Sequence, residues 1–547
     1  MKRPLFFSTA AFGLALLAAC GGTGNTSSVT VDFPAIDADS YITYVKTLSS
    51  DEFLGRMPFT KGDTLAVNYI ADEFENIGLE PGNGNSYFQE VPMVGITSSP
   101  VKPLIFRNGS KQVSLNYLDD YVMASPRADA QLDISTTELV FAGFGIVAPE
   151  YGWNDYEGLD TEGKTVVVMV GDPGYYDDSL FKGDTMTYYG RWTYKFEEAA
   201  RQGATGVLII HDTGAASYAW NVVRSGWTGS RLALETAEGE PLPAAFEGWI
   251  TTETADKLFE LAGQTDLIAQ AKKPGFKPVP LQVTTSVSIK NEVLKSTSNN
   301  VLAKISGSKY PDEYIIYSAH WDHLGVGEPI EGDSIHNGAI DNASGVAALF
   351  ELAKAFKDAE TPPERSILFL AVTAEEQGLL GSAYYANNPV YPLSKTVANI
   401  NIDALNAVGR TSDVAVVGLG HSEMDDYLTQ VAEQQGRTVV PGGNPSAGSF
   451  FRSDHFNFAK VGVPALYTGS GSNFIDKDSA TVAQLRETFG KRYHHVSDEY
   501  DDSWDVSGMI EDIQLAFGVG YTLSQERTFP KWKAGSEFKA AGETRFK

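Results

Sequence analysis

The stretch Tyr314-Ile-Ile-Tyr-Ser-Ala-His320-Trp-Asp322 decides the fold. Its first six residues form a short, almost continuously apolar run rich in β-branched and aromatic side chains. It is too short for a helix, and it lacks the polar alternation of a strand with one wet face. Such a run reads as a strand buried on both faces, the kind found in parallel sheets covered by helices. A histidine and an aspartate follow at its carboxyl end. Downstream, Asp341-Asn-Ala-Ser-Gly345 opens a helix over 343–356 with Val346, Leu349, Phe350, Ala353 and Phe356 on one face. Ser366-Ile-Leu-Phe-Leu-Ala-Val372 is a second buried strand, and 397–402 and 463–467 supply more. This alternation predicts an α/β domain with a doubly wound, mostly parallel sheet flanked by helices.

Upstream, helical spacing over 41–48 and 63–77 marks an opening helical layer within residues 38–112. Residues 113–288 carry short β-rich runs with many glycines, among them Leu139-Val-Phe-Ala-Gly-Phe-Gly-Ile146 and Thr165-Val-Val-Val-Met-Val170. They read as a β-rich unit inserted before the catalytic part, 289–527. Residues 528–547 read as a polar, basic, exposed tail. At the other end, Lys2 and Arg3 precede an apolar run closed by Leu17-Ala-Ala-Cys20. That is a signal peptide over 1–19, and it matches a bacterial lipobox in which Cys20 becomes the lipidated first residue of a tether, 20–37. The expected location is the cell envelope, with membrane contact only through Cys20.

The composition narrows the function. The 547 residues hold 42 Lys+Arg against 70 Asp+Glu, a net charge of −28, which repels phosphate backbones and argues against nucleic-acid binding. One cysteine permits no internal disulfide.

The chemistry lies where acids and histidines fall relative to the strands. His320 and Asp322 follow the first strand, Asp341 opens the helix, Glu375 and Glu376 follow the second strand, Asp403 follows the third, and His494 lies near the end. In open α/β sheets the carboxyl ends of the strands line one crevice, so these groups converge. Imidazoles and carboxylates without a thiolate suit zinc. Five ligands exceed what one tetrahedral ion needs and fit two ions roughly 3.5–4 Å apart sharing a bridging carboxylate. The expected division is His320, Asp403 and bridging Asp341 on one ion, and Glu376, His494 and the same Asp341 on the other. Glu375 is the candidate general base, Asp322 the carboxylate that fixes the His320 tautomer, and Tyr493 the oxyanion donor. Each element alone has a plainer explanation: Asp341-Asn-Ala-Ser is a good helix cap, and an acid pair often opens a solvated helix. The other histidines, His211, His323, His336, His421, His455 and His495, are read as structural.

The ordered set His320-x-Asp322, Gly-Ala-x-Asp341-Asn-Ala-Ser-Gly, Ala-Glu375-Glu376-Gln-Gly-Leu-Leu-Gly-Ser, Asn-Ile-Asp403, Ser453-Asp454-His455 and Tyr493-His494 resembles the co-catalytic di-zinc aminopeptidase family, which also contains glutamate carboxypeptidase II and the transferrin receptor. The resemblance covers roughly 38–110 and 290–525. It implies the same ligands, two zinc ions per chain, Glu375 as base, Tyr493 as oxyanion donor and peptide substrates. The inserted unit resembles a protease-associated (PA) domain, on Phe141-Ala-Gly-Phe-Gly145, Glu162-Gly-Lys-Thr-Val-Val-Val168 and 195–210. The chain departs from the family pattern at Ile340, after Asp403, and at His495-Val496, which leaves His494 and His495 to be told apart. An aminopeptidase is the leading expectation. The alternatives are a carboxypeptidase of the glutamate carboxypeptidase II type, a single-zinc glutaminyl cyclase and a non-catalytic receptor-like protein.

Overall fold

The computed structural model describes residues 29–237 and 239–547, so the expected signal segment and Cys20 lie outside the described residues. The site is positioned by six strands and three helices: β1 (Phe88–Pro100), β2 (Val279–Ile305), β3 (Tyr310–His320), β4 (Arg365–Val372), β5 (Thr396–Asn401) and β6 (Ala465–Ser470), with α1 (Lys61–Ile77), α2 (Ser344–Asp358) and α3 (Ser507–Gln525). Across the catalytic sheet the order is β6-β5-β3-β4-β2, with β6, β5, β3 and β4 parallel and β2 antiparallel to β4. The doubly wound, mostly parallel α/β architecture expected from the sequence is therefore present.

The apolar run that defines β3 is buried throughout, because helices cover both faces of the sheet. On one side α2 packs its buried face, Val346, Leu349, Phe350 and Phe356, into the main core with α1 and α3. The contact is close: the Tyr317 hydroxyl donates to the Ala516 carbonyl at 2.7 Å. A Cβ at Gly520 would lie 1.9 Å from that oxygen, so only glycine lets α3 sit there.

The insert is entered and left on a ribbon. β1 and β2 pair antiparallel from Phe88 opposite Val301 to Pro100 opposite Ile289. β2 then continues without a break into the insert, where its first half pairs with Gln131–Phe141. Strands Gln131–Phe141, Thr165–Met169, Gly206–His211 and Phe246–Thr251 follow in parallel order, closed by antiparallel Tyr121–Ala124. Helix Thr252–Leu261 covers one face with Ala255, Leu258 and Phe259, and helix Trp192–Arg201 covers the other with Phe196 and Ala199. The insert thus has helices as well as strands. Its core takes in Leu104 and Phe106 from the stretch before position 113.

The carboxyl-terminal residues differ from the expected exposed tail. Trp532 and Phe538 are buried, and the Trp532 indole donates to the Gly462 carbonyl at 3.1 Å. Arg545 donates to the Thr396 carbonyl at 2.6 Å. Glu537 reaches the insert, pairing with Lys182 at 2.7 Å and accepting the Tyr188 amide at 3.0 Å. The lysines suggested solvent, but two large aromatic side chains outweigh them, since each fully buried ring is worth about 1.5–3 kcal/mol.

Candidate metal centre

The strand ends deliver the acids and histidines to one crevice. His320 is the last residue of β3, Asp403 lies two residues past β5, and Glu375 and Glu376 lie three and four past β4, where Ala374 turns the chain at φ +53°. Asp341 precedes α2, behind Gly338 at φ +56°. A Cβ at Gly338 would lie 2.6 Å from the His323 ring, so glycine lets this loop close over the histidine.

Asp341 sits between two groups of ligands. Its Oδ1 is 3.1 Å from His320 Nε2, which is 3.3 Å from Asp403 Oδ1. Its Oδ2 is 3.3 Å from His494 Nε2, which is 3.0 Å from Glu376 Oε2. Two sets of ligand atoms lie mutually within 4.8 Å: His320, Glu375 and Asp403, and His323, Asp341 and Glu376. His494 faces Asp341 and Glu376, whereas His495 is bound to Ser497 at 2.8 Å.

The neighbouring residues fix these groups. Ser453 donates to Asp403 Oδ2 at 2.6 Å and itself accepts from Asn401. The Asp322 carboxylate accepts the amides of Glu375 at 2.9 Å and Glu376 at 3.3 Å. It stands 3.8 Å from His320 Nδ1, outside hydrogen-bond range, and that nitrogen faces the Asp322 main-chain carbonyl at 3.2 Å instead. In place of the expected Asp322 carboxylate, the partner of His320 is the Asp322 peptide carbonyl, and the carboxylate accepts from the amides of the acid pair. Arg56, buried and unsuspected from sequence, donates to the carbonyls of Leu48, Trp321, Asn337 and Gly338 and so ties the first helical layer to both site loops.

His323, which the sequence leaves among the structural histidines, lies against the ligand groups. Its Nδ1 is 2.7 Å from Glu376 Oε1, and its buried Nε2 has no partner. The signal was its position three residues after His320, just past the strand end.

The electrostatics describe a negative well. Burial lowers His320, but Glu375 and Asp403 raise it well above the usual imidazole range. Burial likewise lowers His494, yet hydrogen bonds to Asp341 and Glu376 carry it up to about 10. Burial raises Glu376, and the bonds from His323 and His494 overcome it, holding the carboxyl at about 2. Glu375 goes the other way: burial, reinforced by Asp403, Asp454 and Glu376, lifts it well above the usual carboxylate range against the pull of His320. Its carboxylate makes no hydrogen bond or ion pair among the described residues. Two close pairs of carboxylates, Glu375 with Asp403 and Asp341 with Glu376, favour a bound cation. Nitrogen and oxygen donors in two groups, with an orphan imidazole nitrogen beside them, fit borderline divalent ions such as zinc. Beside Asp341 and Tyr493 opens a cavity of about 280 Å³ lined by Ile340, Leu405, Val408 and Phe489.

Residues 300–518 match the model of peptidase family M28. Curated relatives of this chain include aminopeptidase NAALADL1 of Mus musculus, 37% identical over 138 residues, which are 24% of this chain and 17% of that one. Carboxypeptidase Q of Bos taurus is 28% identical over 242 residues, 43% of this chain and 42% of that one. A probable zinc metalloprotease of Pyrenophora tritici-repentis is 32% identical over 321 residues, 52% of this chain and 62% of that one. The chain thus spans from under a fifth to under two thirds of these relatives' lengths. Among solved structures, the aminopeptidase from Aneurinibacillus sp. strain AM-1 superposes with a TM-score of 0.48 at 20% identity, covering 89% of this chain and 93% of that one.

Proposed function

We propose that the chain is a two-zinc exopeptidase that removes N-terminal residues from peptides. The observation that carries this reading is the sharing of Asp341 between two ligand groups, with Glu375 beside them and unbonded. His320 and Asp403 would hold one ion, Glu376 and His494 the other, and Asp341 both; when bound, the ions would polarise the scissile carbonyl and acidify water. Glu375 takes the proton from the attacking water and returns it to the leaving amine, a role suited to a carboxyl raised by burial. Tyr493, stacked on His494 with ring centroids 3.9 Å apart, donates its hydroxyl to the developing oxyanion. The apolar cavity beside Tyr493 takes the side chain of the residue removed, favouring aliphatic or aromatic ones. Support for peptide hydrolysis comes from the family M28 segment and from relatives named as peptidases. The 1–19 signal and lipidation at Cys20 would place the enzyme on the outer side of a bacterial membrane. Among the described residues no helix is long and apolar enough to cross one.

The test is mass spectrometry of products from the zinc-loaded chain, residues 21–547, given one peptide set in free, N-acetylated and C-amidated forms. Shortening from the N-terminus that acetylation blocks and amidation spares is expected, with close to two zinc ions per chain. Loss from the C-terminus blocked by amidation would establish the carboxypeptidase alternative. Pyroglutamate with one ion per chain would establish the cyclase, and no product with metals bound would point to the receptor-like role.

A further inference from the structure

A second cavity, of about 550 Å³, opens between the insert and the catalytic domain. It begins at the site itself, on Glu376 and Gln377, and runs out over Arg191, Arg231 and Arg452. In a chain with a net charge of −28, three guanidinium groups around one groove are unexpected. Among the described residues none of the three is in an ion pair. Among the described residues Arg191 makes no side-chain hydrogen bond; Arg452 uses two of its N–H groups on the Ala447 carbonyl, and Arg231 lies over the Trp227 indole at 4.1 Å. Glu247, whose charge acts on Arg231, is itself pushed up to about 7 by burial. Burial, with Arg452 adding repulsion, pushes Arg191 down to about 10, so holding both cations here without an anion is unfavourable.

We propose that this groove binds a carboxylate on the leaving part of the substrate, which makes the enzyme a peptidase of short, acid-ended peptides. The proposal rests on the exopeptidase reading above and adds what lies beyond the scissile bond. Planar guanidinium forks match a carboxylate in a way that ammonium groups do not, and a groove of this size holds two or three residues. The carboxylate is either the free C-terminus of a di- or tripeptide or an acidic side chain close to the cleaved bond.

Binding is read without turnover in zinc-loaded Glu375→Gln, by the fluorescence of Trp192, Trp227 and Trp249, which line or flank the groove. The probes are Leu-Ala-Ala, Leu-Ala-Ala-amide and Leu-Glu-Ala-amide. Leu-Ala-Ala is expected to bind about ten- to a hundredfold more tightly than its amide. Recovery of affinity by Leu-Glu-Ala-amide would place an acidic side chain in the groove; its absence would assign the terminal carboxylate. Arg191→Gln with Arg452→Gln is expected to bring the acid-to-amide ratio close to one. Arg452→Gln alone, at an exposed position, narrows it, and Arg224→Gln, outside the groove, leaves it at the wild-type value. Equal binding of all three peptides, or a ratio unchanged in the double variant, would overturn the proposal. Turnover of the same peptides by the unmutated enzyme separates the two claims, since release of leucine tests the exopeptidase reading whatever the ratio.

Discussion

The Asp498 carboxylate accepts the backbone amide of Asp341 at 3.1 Å, fastening the loop that carries His494 to the residue shared by both ligand groups. The neighbouring amide of Ile340 donates to the same carboxylate at 3.0 Å. Asp498→Ala leaves the amides of Ile340 and Asp341 without this acceptor and releases the His494 loop. Zinc affinity is expected to fall about 10- to 100-fold, read by competition with a chelator, with a smaller loss in Asp498→Asn, which keeps one acceptor oxygen.

Glu375 and Asp341 should separate chemistry from binding. Glu375→Gln is expected to lower kcat by about a thousandfold while the metal content measured by plasma mass spectrometry stays at its wild-type value. Asp341→Ala is expected to lose metal. The reverse pattern would exchange the two assignments.

His323 offers a finer test of the second ligand group. His323→Gln keeps a polar group near Glu376 but removes the imidazole 2.7 Å from Oε1. Calorimetric titration with zinc is expected to show one step weakened by about tenfold and the other unchanged. Two unchanged steps would leave His323 a packing residue.

Arg56 is the stability prediction. Its guanidinium serves four carbonyls from a buried position, so Arg56→Ala strands several acceptors at once. A loss of about 3 kcal/mol or more is expected in urea unfolding. Arg56→Lys is expected to recover little, because an ammonium cannot span the same carbonyls.

Acid sensitivity should trace to two histidines away from the metal ligands. Burial pushes His421 down to about 4 and His455 to about 3. The unfolded chain binds protons on both below about pH 6.5, whereas the folded chain refuses them. Their contribution to stability is therefore intact above about pH 6.5 and is lost as pH falls toward 4 and then 3. His421 is stacked on Phe450 with centroids 4.8 Å apart, so His421→Phe keeps the packing. Its melting temperature is expected to fall less steeply than wild type between pH 6.5 and 4.

The strands and their terminal acids were legible because parallel order leaves continuous apolar runs and forces the residues after them into one crevice; His320, Glu376 and Asp403 follow that logic, and Asp341 comes from the turn that opens α2. His323 escaped because nothing local distinguishes a ligand-side histidine from a packed one. Only the loop held by Gly338 places it against Glu376. Arg56 was invisible for a related reason, since its partners are main-chain carbonyls up to 282 positions away. The C-terminal residues look solvated because their lysines and arginine outnumber Trp532 and Phe538, the two rings that dock them. In the insert, helix Thr252–Leu261 went unread among the glycine-rich strands.

The ladder between β1 and β2 has one more consequence. Since a single strand serves both cores, the wall that carries Arg191 and Arg231 is joined to the catalytic sheet through a paired ribbon rather than through loops alone. The same ladder makes the segment between Pro100 and Ile289 a natural cassette: a different insert spliced at that pair would inherit the catalytic sheet intact and bring its own choice of what may leave.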